Sequence, residues 1–111
     1  MEIEQTDRER GVTVLRLEGR LTMVSAPRLK AVIDQAVESG HPRVVVDLAA
    51  VSFMDSSGLG TLIAGLKKAR QGDGDVRITG VAQQVATVLA LTNLDRVLRA
   101  HPTVEAATDG W

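Results

Sequence analysis

At 111 residues, 44% of them apolar, the chain is sized for one domain with a packed core, and Phe53 and Trp111 are its only aromatics. It has no cysteine, which excludes disulfides, thiolate metal sites and cysteine nucleophiles. A formal charge of −1, with Lys and Arg scattered singly, argues against a nucleic-acid surface, which needs clustered cations.

The first residues, Met1-Glu2-Ile3-Glu4-Gln5, are acidic and lack an apolar h-region, and no apolar stretch approaches the length of a membrane span. A cytoplasmic protein without direct membrane contact is expected. Residues around Ile3 are expected to form an edge strand, turning near Glu9-Arg10-Gly11. A second strand then carries Val12, Val14, Leu15 and Leu17 and ends at Gly19. From Ala26 the period changes. Leu29, Ile33, Ala36 and Val37 form a helical stripe, with Ser25 placed to cap it and Pro27 in its first turn, and Gly40-His41-Pro42 stops it.

Arg43 to Leu48 is continuously apolar apart from Arg43 and Asp47, the pattern of a strand covered on both faces. Leu59, Leu62, Ile63, Leu66 and Ala69 return to helical spacing, and Lys67, Lys68 and Arg70 sit where cations complement the helix dipole. Gln71 to Asp75 reads as a turn and Val76 to Thr79 as a strand. A helix follows from about Gln83 to Leu91, with Val85, Val88 and Leu89 inward. Val97-Leu98-Arg99 is expected to be a last short strand and Thr103 to Ala107 a terminal helix. The alternation predicts a single α/β domain over 1–111, with one mixed, mostly parallel sheet of four to five strands and about four helices.

One segment stands apart: Phe53-Met54-Asp55-Ser56-Ser57-Gly58-Leu59-Gly60 joins the most buried strand to the second helix. It therefore lies at the carboxyl edge of the sheet, where open α/β folds engage ligands and partners. Asp55, Ser56 and Ser57 are all competent N-caps, and the glycines leave little bulk on the first turn. An exposed hydroxyl beside free backbone N–H groups is expected, a setting that tolerates a phosphate.

Val44-Val45-Val46-Asp47-Leu48, five residues, then Met54-Asp55-Ser56-Ser57-Gly58-Leu59-Gly60 closely resembles the STAS domains of bacterial anti-sigma factor antagonists. Leu17-Glu18-Gly19-Arg20-Leu21, the glycine turn before Val76 and the order of elements extend the likeness over nearly the whole chain. The resemblance implies the STAS fold and a partner switch. The serine after the aspartate, here Ser56, is the phosphorylated residue. The unphosphorylated form binds an anti-sigma factor, itself a serine kinase with its own ATP site, and a sigma factor is released. Phosphorylation ends the interaction and a separate phosphatase restores it. Asp55, Ser56, Ser57, Gly58, Leu59, Gly60 and Thr22 are the expected partner-binding residues. Many antagonists carry Gly-x-Leu-Asp after the second strand, whereas this chain has Gly19-Arg20-Leu21-Thr22, with a hydroxyl in place of the carboxylate.

Other readings lack parts. A serine hydrolase needs a base, and neither His41 nor His101, each expected in a solvated loop before a proline, has a reason to approach Ser56; there is also no Gly-x-Ser-x-Gly elbow. A nucleotide site lacks the Gly-x-x-x-x-Gly-Lys-Ser/Thr loop. Asp73 and Asp75 lack the later ligands of a calcium loop, so no metal and no cofactor are expected. The alternative that keeps the fold is an accessory subunit of an ABC-type lipid transporter or of a stress-signalling assembly, with the serine idle.

Overall fold

In a computed structural model of the chain, which describes residues 1–111, five strands form one sheet in the spatial order β1-β2-β3-β4-β5. β1 (Glu2–Arg8) and β2 (Val12–Leu21) make an antiparallel hairpin in which Ile3 faces Leu17 and Arg8 faces Val12. β2, β3 (Arg43–Met54), β4 (Asp75–Thr79) and β5 (Ala100–His101) then run parallel. α1 (Ala26–Glu38), α2 (Ser56–Gln71) and α3 (Gln83–Leu91) supply the three crossovers, and α4 (Val104–Ala107) follows β5.

Period two sorts the strand residues between two cores. Leu15, Leu17, Val44, Val46, Leu48, Val76 and Ile78 pack against Leu29 and Ile33 of α1, Leu62 and Leu66 of α2, and Val85 and Leu89 of α3. On the opposite face Val12, Val14 and Val45 pack only against Val104, Ala107 and Trp111. That smaller layer leaves much of the second face to polar side chains, including the Arg16–Asp47 ion pair at 3.2 Å.

Two strands run further than their pattern announces. β2 continues past Gly19 to Leu21, because the glycine takes φ +113° within a register irregularity rather than ending the strand. β3 continues past Leu48 to Met54, paired there with β2 alone, so Ala49, Ala50 and Ser52 are exposed and the buried-strand signature fades. The strand expected over Val97-Leu98-Arg99 is corrected. A 3₁₀ turn occupies Leu94–Arg96, the strand is Ala100–His101, and Leu98 is fully buried in the connection between them. The apolar signal there came from a core side chain on a loop. His101 is likewise on a strand and not in a solvated loop. α3 occupies the expected residues, although Val88 is only partly buried beside Val85 and Leu89. No helix is long and apolar enough to cross a membrane.

Candidate functional site

The carboxyl ends of β2 and β3 lie side by side, with Leu21 paired to Met54. Beyond them the chain enters α1 and α2, so two loops meet at one edge. Asp55 joins them. Its backbone N–H donates to the Leu21 carbonyl at 3.2 Å. Its side chain accepts from Gly58 N–H at 2.9 Å, as the N-cap of α2, and from Met23 N–H at 3.0 Å across the gap. The hydrogen bond from Gly58, followed by that from Met23, holds the Asp55 carboxyl below the usual carboxylate range.

Gly58 is required by this closeness. A Cβ built there would stand 2.5 Å from the Leu21 carbonyl oxygen and 2.7 Å from Leu21 Cγ. One carbonyl thus receives Asp55 N–H and touches the first turn of α2, clamping the helix start onto the end of β2. Gln84, from the start of α3, braces the same place. Its amide donates to the Met54 carbonyl at 3.0 Å and accepts from Met54 N–H at 2.8 Å.

With Asp55 as the cap, Ser56 is released from that duty. It is the first residue of α2, exposed, and its hydroxyl takes no part in capping. Ser57 and Asp55 are partly exposed, and Gly60 is exposed with no atom within 4 Å of where a Cβ would stand. Thr22 is partly exposed and adjoins both anchors of Asp55, Leu21 and Met23. Its N–H donates to Ser25 Oγ at 3.0 Å, and its own Oγ1 accepts from Val24 N–H at 3.3 Å. Ser25 does precede α1, but its hydroxyl donates to the Arg20 carbonyl at 2.7 Å instead of capping the helix.

Two residues expected at a partner surface are not surface residues. Gly58 is buried under Leu21, and Leu59 is 4% exposed within the main core. They shape the turn from beneath. Conversely, Met23 and Val24 were not expected there, yet they stand 71% and 87% exposed on the adjoining loop. Their signal was available: an apolar pair between Leu21 and Ser25 that fits neither the strand nor the helix period. Gln84 had no such signal, since its role depends on a backbone 30 residues away.

No group of three or more His, Asp or Glu side chains converges as a metal would require. What the edge offers is a shallow platform: a free hydroxyl, two exposed apolar side chains and small residues between them. The STAS domain model matches residues 3–107, most of the sheet and all of the helices. The chain belongs to the STAS domain family.

The chain is 31% identical over 91 residues to an anti-sigma-B factor antagonist of Staphylococcus epidermidis, covering 82% of this chain and 84% of that protein. The crystal structure of an anti-sigma factor antagonist from Mycobacterium paratuberculosis superposes with a TM-score of 0.84 at 31% identity, covering 96% of this chain and 89% of that one. The Bacillus cell fate determinant SpoIIAA, solved in its phosphorylated form, shares the fold at a TM-score of 0.76 and 23% identity, over 97% of both chains.

Proposed function

We propose that this STAS domain is an anti-sigma factor antagonist that acts by partner switching at Ser56. In this reading the unphosphorylated form binds an anti-sigma factor kinase in the cytoplasm, and a sigma factor is set free. Phosphorylation of Ser56 by that kinase ends the contact, and a separate phosphatase restores it. The domain itself binds and does not catalyse.

One observation carries the reading: the cap is Asp55, so Ser56 stands exposed on the first turn of α2 with no structural task of its own. A phosphate there adds about −1.5 to −2 charge. The helix N-terminus tolerates it through backbone N–H groups and the positive end of the dipole. The fold is therefore retained and the partner is lost, because a bulky anion now stands on the platform beside Met23 and Val24. Kinship with anti-sigma factor antagonists in sequence and in structure supports the partner class.

The test is affinity capture with three full-length baits: wild type, Ser56→Ala and Ser56→Asp. Wild type and Ser56→Ala are expected to recover a small ATP-binding kinase, and Ser56→Asp is expected to lose it. Recovery by all three, or by none, sinks the switch at Ser56. Incubating the recovered kinase with ATP should add one phosphate to wild type and none to Ser56→Ala, read by intact mass.

A further inference from the structure

We infer that the chain carries a second site, an anion-binding cleft of about 460 Å³ between the end of α2, the start of β4 and the segment around β5, suited to a small phosphate monoester. It shares no residue with the edge around Ser56. Arg70, on its rim, lies 14 positions along α2 from Ser56, about 21 Å at 1.5 Å per residue.

The cleft gathers charge that the sequence scatters. Arg70, Arg77, Arg96 and Arg99 line it against two carboxylates, Asp75 and Asp109, leaving the lining at +2 in a chain whose formal total is −1. These arginines are not all neutralised. Asp75 is shared by Arg70 at 3.2 Å and Arg77 at 3.4 Å. Arg77 is further fixed by donating to the Ala107 carbonyl at 2.7 Å and by lying over the Trp111 ring at 3.9 Å. The exposed side chains of Arg96 and Arg99 make no hydrogen bond and no ion pair within the chain, so both guanidinium groups are free to turn into the cleft.

A second, independent observation comes from His101, which lines the same cleft. Its Nε2 is the one buried side-chain nitrogen or oxygen in the chain without a hydrogen-bond partner. Buried polar atoms are almost always satisfied, by protein, water or ligand. The side chain shares the cleft wall with Arg96 and Arg99, its Nε2 closed to solvent. The reason is topological: β5 pairs with β4 only through Ile78 and Thr79, so the edge of β4 from Asp75 to Arg77 is left uncovered. The gap so created is within the size range of small-ligand sites.

Guanidinium forks match phosphate oxygens in pairs, and a lining of +2 balances a dianion. A phosphate monoester supplies that charge, and its organic part fits the remaining volume. A flat partner surface does not reach into such a cleft.

The experiment is a titration of the full-length protein with inorganic phosphate, phenyl phosphate and benzyl alcohol, followed by amide chemical shifts. Saturable shifts are expected with both phosphates, centred on Arg77, Arg96, Arg99 and His101, with phenyl phosphate the tighter and benzyl alcohol inert. Arg96→Gln/Arg99→Gln should bind phenyl phosphate at least tenfold more weakly while keeping the wild-type spectrum elsewhere, and Lys67→Gln should bind as wild type. Shifts that fail to saturate, that spread over exposed cations generally, or that survive the double substitution overturn the site and leave His101 to a structural water. Vesicles bearing a phosphate-monoester headgroup form a further arm: matching shifts with lipid but none with phenyl phosphate would also overturn the small-molecule assignment.

Discussion

The two ends of α2 are built by different means. At its start, Leu21, Asp55 and Gly58 form a clamp in which one aspartate, one carbonyl and one missing side chain set the geometry. At its end, Arg70 joins residues from β4, the β5 segment and beyond Ala106, and the arrangement rests on ion pairs and a stacked ring. The first region is clamped and presents the hydroxyls of Ser56 and Ser57. The second is open and presents free charge. A surface to be switched by one covalent group benefits from a frame that does not yield when the group is added, whereas a cleft for a diffusing anion benefits from side chains that can turn onto it.

Breaking the clamp should have the largest effect. Gly58→Ala drives a Cβ into the Leu21 backbone, which cannot move aside as a side-chain tip would. A loss of about 1–3 kcal/mol in urea unfolding is expected, together with loss of partner capture. Ser56→Asp should separate function from stability. It is expected to unfold like wild type and to bind the partner about 5- to 150-fold more weakly. A stability loss matching that of Gly58→Ala would show that the first turn does not tolerate the charge.

Trp111→Leu probes the other end. It keeps an apolar group on the second core and removes the ring under Arg77, which should cost about 0.5–1 kcal/mol and leave partner capture unchanged. Reduced capture would mean that the two regions are coupled. The smallest effect is expected from Ser56→Ala, within about 0.5 kcal/mol, since Asp55 and not Ser56 caps the helix.

Acid sharpens the contrast further. The folded Asp55 pKa lies below its unfolded value, so its contribution is fully present above about pH 4 and is lost as the pH falls through the lower folded value. Asp34, held down chiefly by Lys30, acts in the same direction. Asp55→Ala should therefore shallow the acid limb of the stability curve without removing it, with circular dichroism from pH 7 to 2 as the measure. An unchanged acid limb would mean that the hydrogen bonds from Gly58 and Met23 contribute nothing.

Much of this architecture was legible because period and punctuation are local. The stripe from Leu29 to Val37 and the residues of α3 follow from spacing alone, and the Asp55-to-Gly60 segment marked its own turn. Where burial and local pattern part company, legibility ended. Leu98 looked like a strand residue because the core claims it from a loop, and Gly19 looked like a stop because a bulge uses the same residue as a strand end. Nor does a motif say which of its members face outward: Leu59 turns into the core, while Met23 and Val24, outside the motif, take the surface.

What the sequence by itself determined is the order of elements, the family and the position of the Asp55-Ser56-Ser57-Gly58 turn, since each depends on neighbours within a few positions. Only the tertiary structure decided that Asp55 is the cap, that Gly58 is sealed beneath Leu21, and that Arg70, Arg77, Arg96, Arg99 and His101 line one cleft. The physical reason is the sheet. Parallel pairing sets strands about 30 residues apart in sequence side by side, and a hydrogen bond or charge cluster across that gap leaves no periodic trace in the chain.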